Sequence, residues 1–478
     1  MSFEPAPELR PRPCLGSLMD IPAGEYYTGK YGDQILSGGF PNFIGVGGRG
    51  NTHKTTQSLS LILIVLSRYE NASAVFYDTE NTASYFRIMD IAKTFGIDTD
   101  KLFDEYRMIL TASAQYSGNE WWSKVREESR ERIKDKKKLQ CETPFLDRKG
   151  NPIYAYPPRI HFLDSLSEFE TDQIDELHDK YNIDDAAINT EAARSGLIKT
   201  RMIRQIPDVT AASGMSVLAT AHVGDETKMD PYAPSKKKLS FLKTGLQFKN
   251  VPEKFTMLTS ILWYINDASA LVNRNTKAPE YPKERQNEAA GETELMEVDL
   301  ISLRSKISKS GHLLKLVVSQ EEGLLPHLSE FHYLKKRPDN FGFLAPEGRG
   351  GQDRRLAIYP DEVLRRTNVR DKINADPRLQ RALEITSELA QIKDYWHFDH
   401  NSEFVDPADL YQRLIDLGYE WDKLLDTRGY WTYDHYTNPV PPLSTKDLIN
   451  MYHGRYIPFW YPEKKAIEQN VKKFFQEK

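Results

Sequence analysis

Short apolar runs recur between about residues 40 and 270 and alternate with segments whose apolar positions have helical spacing. The runs cover residues 42–46, 74–78, 108–112, 159–164, 216–221 and 261–265. Their length and their β-branched and aromatic residues are typical of strands. Because strands that alternate with helices usually pair in parallel, the pattern predicts an α/β fold, with a mostly parallel sheet flanked by helices.

Two further apolar runs follow at residues 297–303 and 313–319. No long helix is predicted between them, so they are expected to extend the sheet as antiparallel strands. The alternation is interrupted at residues 114–158, where Trp121 and Trp122 precede a stretch dense in Lys, Arg and Glu. The alternating charge signs favour a solvated helix, and a contact with DNA or a partner is the alternative.

The two ends of the chain differ in composition from this α/β region. Residues 1–38 are rich in Pro and Gly and are expected to form an N-terminal arm or a short cap, before a core at residues 39–345. Helical patterns at residues 361–368 and 376–392 then lead into a stretch dense in aromatic residues and Asp. Residues 360–478 are therefore expected to form a separate, mainly helical C-terminal domain, whose role the sequence leaves open.

Composition limits the classes of function that this chain can have. The chain has 478 residues, more than one ordinary domain needs, and a net charge of −5 with 64 Lys and Arg, so a nucleic-acid contact must come from local basic patches. Cys14 and Cys141 lie far apart and support neither a disulfide framework nor a zinc site, which favours a reducing compartment. No apolar run has the length of a signal peptide or a membrane span, so we expect a soluble cytoplasmic protein without a membrane partner.

The segment after the first predicted strand has the form of a phosphate-binding loop. The spacing from Gly48 to Thr55 is that of G-x-x-x-x-G-K-[ST], with His53 in place of the second glycine. Backbone amides of such a turn bind phosphates, Lys54 neutralises them, and the Thr55 hydroxyl binds Mg²⁺. The expected nucleotide-binding residues are Gly48, Arg49, Gly50, Asn51, Thr52, His53, Lys54, Thr55 and Thr56.

Three other predicted strands end at or near residues that ATP hydrolysis needs. Asp164 is a candidate Mg²⁺ ligand, although an ordinary helix cap is an equally good interpretation. Glu80 lies just beyond the second strand and can polarise an attacking water. His222 follows the fifth strand and precedes a polar, basic segment, so it can report γ-phosphate occupancy to that segment. A lone histidine at a strand end is more often structural.

Together these positions resemble the motifs of the RecA family of recombinases, and more closely those of its UvsX-type members from large tailed phages. The family's strand ending D-x-E, whose glutamate is the catalytic base, is matched by Asp78 and Glu80. Its strand ending D-S is matched by Asp164 and Ser165. UvsX-type loops also carry a bulky residue where His53 stands.

The resemblance covers about residues 40–345. The UvsX-type histidine before the second DNA-binding loop corresponds to His222. The spacing between Glu80 and Asp164 is longer than in the family, which indicates that residues 114–158 are an insertion.

The resemblance implies a DNA-dependent ATPase with ATP and Mg²⁺ as cofactors. Such a protein forms a helical filament on single-stranded DNA and promotes pairing and strand exchange with duplex DNA in recombination, repair and replication. Glu80, Lys54 and His222 would act in one subunit, and Arg304 and Lys306 would complete the site of a neighbour. Single-strand-binding or loader proteins are expected partners, in the cytoplasm of a bacterial host if the chain is phage-encoded.

The resemblance also implies the DNA contacts. Residues 224–254 are locally basic and correspond to the second DNA-binding loop, and residues 182–194 correspond to the first. A mobile surface loop kept soluble by its lysines is the alternative for the basic segment. The expected DNA-binding residues are Arg194, Lys236, Lys237, Lys238, Phe241, Lys243 and Phe248.

Two other functions stay open. A RecA-like replicative helicase would form closed rings and unwind duplexes. A DNA-associated structural protein would bind nucleotide without turnover, and His53 together with the unassigned C-terminal region keeps that alternative open. The D-x-E strand and the loop with His53 favour the recombinase.

Overall fold

The computed structural model describes residues 9–170, 191–226, 232, 234–235, 237–273, 275–283, 293–346, 353–396 and 404–476. The side chains of residues 191–194, 396 and 476 lie outside this description. No helix among the described residues is long and apolar enough to cross a membrane.

The strands within these ranges are β1 Glu25–Thr28, β2 Gln34–Ser37, β3 Phe43–Gly48, β4 Ser73–Asp78, β5 Met108–Ala112, β6 Cys141–Leu146, β7 Pro152–Ala155, β8 Arg159–Asp164, β9 Met215–Asp225, β10 Leu246–Phe248, β11 Ile261–Ala270, β12 Leu295–Ser305, β13 Leu313–Ser319, β14 Gly323–Leu324, β15 Arg354–Leu356 and β16 Tyr359–Leu364.

The helices are α1 Ser17–Asp20, α2 Lys54–Arg68, α3 Tyr85–Thr94, α4 Thr99–Asp104, α5 Gly118–Lys134, α6 Lys136–Leu139, α7 Glu191–Ser213, α8 Glu253–Leu258, α9 Pro326–Lys336, α10 Val369–Ala375, α11 Pro377–Gln391, α12 Pro407–Asp416, α13 Trp421–Leu425, α14 Thr445–Tyr452 and α15 Lys464–Gln476. A π-helical turn covers Ile392–Trp396.

One large sheet organises the molecule, in the order β14-β13-β12-β11-β3-β9-β8-β4-β5. The strands from β11 to β5 in this order pair in parallel. Strands β12, β13 and β14 continue the sheet antiparallel, and β10 pairs with the end of β9. The predicted mostly parallel sheet and its antiparallel extension are therefore confirmed.

Residues 114–158 form α5, the short α6 and the β6–β7 hairpin. Helix α5 buries Trp121, Trp122 and Val125 in the same apolar cluster as Ile203 of α7, and its charged residues occupy the other positions. Arg159 of β8 donates to Glu128 of α5 over 2.6 Å. The predicted charged helix is present, and it is amphipathic and packed on one face.

The N-terminal segment packs against the sheet core. Leu15, Leu18 and Phe40 share one buried cluster with helix α2, and Trp431 from the C-terminal part joins it. The Trp431 indole donates a hydrogen bond to the Arg12 carbonyl over 2.9 Å. Segments from both ends of the chain thus contribute to the core beside α2.

The C-terminal part is mainly helical, but one predicted helix is wrong. Residues 361–368 were expected to be helical, whereas β16 pairs antiparallel with β15. Leu356 and Leu364, at 0% and 1% exposure, are buried by this hairpin, and that burial outweighs the local helix propensity. The helix expected at residues 376–392 is confirmed as α11, which Asp376 caps.

Candidate active site

The candidate phosphate-binding loop (phosphate loop, residues 47–55) joins β3 to α2 at the carboxyl edge of the parallel strands. Close packing requires two of its glycines: a Cβ on Gly47 would lie 2.6 Å from the Phe248 ring, and one on Gly48 would lie 2.6 Å from Thr52 Oγ1. His53 immediately precedes α2 and has φ 61° and ψ 27°, the left-handed region that glycine adopts most easily. The substitution in the motif thus falls where the backbone favours glycine.

Lys54 spans the loop that it follows. Its Nζ donates to the carbonyl oxygen of Arg49 over 2.7 Å, and the residue is 7% exposed. Burial lowers the pKa of Lys54, and the nearby charges of Asp164 and Glu80 oppose that shift. Burial and the Arg87 charge also lower the pKa of His53, which favours the neutral imidazole.

Asp164 lies at the end of β8 between two threonine hydroxyls. Thr55 Oγ1 donates to Asp164 Oδ2 over 2.5 Å, and the Thr220 hydroxyl donates to Oδ1. Burial raises the pKa of Asp164; the two hydroxyls counter this, and Glu80 and Asp78 add to it. A buried carboxylate beside a hydroxyl fits Mg²⁺, which commonly takes one or two protein ligands and completes its shell with water and phosphate oxygens. The described residues contain no cluster of three or more acidic, His or Cys ligands.

Glu80 lies beside Thr55 and Asp164 and contacts Ser165, just beyond β8, and His222, which lies within β9 because that strand continues to Asp225. Its Oε1 is 3.0 Å from His222 Nε2 and accepts a hydrogen bond from Ser165 Oγ over 3.2 Å. The side chain is 37% exposed. It also lines a cleft of about 530 Å³ with Asn81 and Ser113. Glu80 therefore combines solvent access with hydrogen bonds that fix its orientation.

His222 connects this site to the basic segment that follows. Its backbone N–H donates to Ser167 Oγ over 2.8 Å, and its carbonyl accepts from the Lys249 N–H over 2.9 Å. Ser167 Oγ also donates to the Lys249 carbonyl over 2.9 Å. Strand β10 pairs with the end of β9 just before Lys249. The hydrogen bonds thus join the Glu80 site to both ends of the segment between β9 and β10.

Ser167 and Thr220 of this network were not predicted from the sequence, and Lys199 was expected only as one of the basic residues near the first DNA-binding loop. Lys199 is 3% exposed, and its Nζ donates to the carbonyl oxygens of Ser167 over 3.0 Å and Asn250 over 3.1 Å. Burial lowers its pKa to about 8, against the charges of Glu168 and Glu170. The feature of the sequence that could have indicated this role is the position of Lys199, a lysine on the face that an amphipathic helix buries.

Arg304 and Lys306 are not brought to this site within the chain. Arg304 pairs with Leu262, which pairs in turn with Gly45 of β3. It therefore lies three residues before Gly48, roughly 10 Å along the strand direction. Arg304 donates to the Thr256 carbonyl and Lys306 Nζ to the Leu258 carbonyl, over 3.0 and 3.1 Å.

The candidate DNA-binding residues have different placements. Lys237, Lys243 and Phe241 are exposed, the last at 45%. Lys238 is exposed and lies 3.5 Å from Glu226. Phe248 is half-buried in β10, where its ring packs on Gly47 and on Phe255 at a centroid distance of 5.9 Å. In this position Phe248 supports the phosphate loop and is not free to contact a base.

Two candidates lie outside the described residues. Lys236 is one, and the side chain of Arg194 at the start of α7 is the other. Most of residues 182–194, the expected counterpart of a first DNA-binding loop, lies outside them as well.

Neither a scan against protein-family models nor a search of the curated proteins finds a match to this chain. Function is therefore inferred from the geometry at the phosphate-loop edge.

Proposed function

We propose that the chain is an ATP-dependent recombinase that assembles as a filament on single-stranded DNA and promotes homologous pairing and strand exchange. The observation that carries this proposal is the contact of Glu80 Oε1 with His222 Nε2 at 3.0 Å. In this contact Glu80 supplies a carboxylate that can activate water. His222 is hydrogen-bonded through its backbone to Ser167 and Lys249, beside the basic segment. Nucleotide state and DNA contact can then influence each other through one pair of side chains.

The residues have distinct roles in this proposal. The loop amides and Lys54 hold the phosphates of ATP, while Thr55 and Asp164 hold Mg²⁺, which supplies charge neutralisation when bound. Glu80 accepts the proton of the attacking water as general base. Ser165 and His222 orient the Glu80 carboxylate through their hydrogen bonds.

The proposed DNA surface consists of the exposed Lys237, Lys238, Lys243 and Phe241, together with Lys236. Lysines follow the phosphates of a strand, and an exposed aromatic ring stacks on a base. Duplex DNA, further copies of the chain, and single-strand-binding or loader proteins are the partners that this function requires.

The decisive experiment measures ATP hydrolysis with and without single-stranded DNA and images the same samples by electron microscopy. Stimulated hydrolysis with helical filaments supports the recombinase. Closed rings that unwind duplex DNA would instead identify a helicase. Nucleotide binding with no hydrolysis under any condition would favour the structural protein.

The DNA surface has its own test. The triple variant Lys236→Ala, Lys237→Ala, Lys238→Ala should bind single-stranded DNA more weakly, with the slope of log K against log salt reduced by about 0.7 for each lost phosphate contact. The triple variant Lys465→Ala, Lys472→Ala, Lys473→Ala, at exposed positions of α15, is the matched control and should keep the parental slope. An unchanged slope after loss of Lys236, Lys237 and Lys238 would show that these lysines only solvate the surface.

A further inference from the structure

A second cleft lies at the edge of the sheet opposite the phosphate loop. Asn42, Met215 and Ser260 line it, and each lies at or just before the amino end of a parallel strand. Its volume is about 610 Å³, within the range of small-molecule sites. The N-terminal segment, the β6–β7 hairpin, the end of α7 and the Trp431 region form its walls. None of the proposed ATP-binding residues takes part.

Six aromatic residues line these walls, and two of their rings are held by hydrogen bonds. The Trp431 indole donates to the Arg12 carbonyl over 2.9 Å, and Tyr433 Oη donates to the Tyr156 carbonyl over 2.8 Å. Tyr154 differs from them because it is 53% exposed. Its ring offers a flat, accessible face at the edge of a rigid wall, which is the geometry that stacking on a planar ligand needs.

The charges of the lining are all positive. They come from Arg10, Arg12 and Lys136, and no Asp or Glu lines the cleft among the residues that the structure describes. The Arg12 guanidinium is bonded to the carbonyl oxygens of Gly38 and Ala23, so it is engaged in the fold. Arg10 and Lys136 are exposed, and a ligand can recruit them. Glu142 accepts a hydrogen bond from the Tyr154 hydroxyl over 3.2 Å and lies outside the lining.

We propose that this cleft binds a nucleotide unit, an aromatic base joined to a phosphate. The base stacks on Tyr154, and the phosphate pairs with Arg10 and Lys136. The unit comes either from a free mononucleotide or from a residue of a single strand. The cleft is separate from the phosphate loop, so this proposal stands whether or not the chain is a recombinase.

The test uses full-length protein that carries Lys54→Ala, which removes nucleotide affinity at the phosphate loop. Calorimetric titrations with AMP and with a short oligothymidylate form the two arms. Tyr154→Ala should weaken binding of the true ligand about tenfold, because it removes the stacking surface, while Tyr154→Phe keeps the ring and should keep the affinity. If Tyr154→Ala weakens the binding of AMP, the ligand is a free nucleotide. If it weakens only the binding of oligothymidylate, the ligand is a residue of a single strand.

The charges are tested in the same way. Arg10→Glu with Lys136→Glu should weaken binding by at least about tenfold, whereas Lys472→Glu with Lys473→Glu, of equal charge change, should not. If AMP does not bind and the cleft variants leave oligothymidylate affinity unchanged, the proposal is overturned. It is also overturned if the control pair weakens binding as much as the cleft pair.

Discussion

His222 Nε2 lies 3.0 Å from Glu80 Oε1, although β9 and β4, which carry the two residues, are not neighbours in the sheet. Strand β8 runs between them and ends at Asp164, and Ser165 just beyond it donates to the same Glu80 oxygen. The contacts therefore join the segments just beyond β4 and β8 to His222 within the carboxyl-terminal part of β9. One side-chain pair thus links the candidate base to the segment between β9 and β10.

The first prediction concerns Glu80 itself. Glu80→Gln keeps the shape and the hydrogen bonds of the side chain but removes the basic carboxylate. It should lower kcat for ATP hydrolysis about 10²- to 10⁴-fold with little change in nucleotide affinity. Steady-state hydrolysis and nucleotide titration measure the two quantities. Glu70→Gln, at an exposed glutamate beyond α2, is the control and should hydrolyse ATP as fast as the parent. If Glu80→Gln also hydrolyses ATP at the parental rate, Glu80 is not the general base.

The second prediction distinguishes the stimulation of hydrolysis by DNA from hydrolysis itself. His222→Ala removes the contact with Glu80 but leaves the carboxylate and the Ser165 hydrogen bond in place. Hydrolysis without DNA should fall less than in Glu80→Gln, while stimulation by single-stranded DNA should be lost. Rates measured across a DNA titration give both values. If DNA stimulates His222→Ala as strongly as the parent, His222 does not connect the two sites.

The third prediction concerns the left-handed backbone at His53. Because glycine adopts φ 61° without strain, His53→Gly should keep nucleotide binding and change the free energy of unfolding by less than about 1 kcal/mol. His53→Val should destabilise the protein by about 1–3 kcal/mol, because a β-branched residue is strained there. Urea unfolding and nucleotide titration measure both effects. Loss of nucleotide binding in His53→Gly would instead show that the imidazole contacts the nucleotide.

The pattern of apolar runs predicted much of this arrangement. Carboxyl ends of parallel strands share one edge, and the structure brings Gly48, Glu80, Asp164 and His222 together there. The role of Thr220 could not be predicted, because the neighbour of its hydroxyl depends on the register between β8 and β9. Phe248 was expected to contact DNA, but β10 exists only through its pairing with the extension of β9, which the local sequence does not indicate.

The fourth prediction follows from the buried amine of Lys199. Its pKa is lowered to about 8, whereas the ordinary value of 10.5 applies in the unfolded chain. The unfolded state therefore binds more protons between these two pH values, and Lys199 makes the free energy of unfolding rise with pH across that window. Below about pH 8 both states are protonated and this contribution is constant.

Lys199→Met tests this prediction. The parent should gain stability relative to the variant as pH rises from 8 toward 10.5, by at most about 1.4 kcal/mol per pH unit. Urea unfolding of both proteins over this range gives the difference, in which the titration of other groups cancels. A difference that stays flat or falls with pH would show that the Lys199 amine is not desolvated in the folded protein.

The last prediction concerns Arg304 and Lys306, which lie near the opposite edge of the sheet from the phosphate loop of their own chain. If a neighbour supplies them, Arg304→Ala and Glu80→Gln should each be inactive alone. An equimolar mixture should regain about a quarter of parental hydrolysis, because that share of interfaces in a random head-to-tail filament combines an intact Glu80 with an intact Arg304. A mixture of Glu80→Gln with Lys54→Ala should regain nothing, since both residues act in one subunit. Full hydrolysis by Arg304→Ala alone, or filaments of the first mixture without recovery, would show that Arg304 serves only to hold the Thr256 carbonyl of α8.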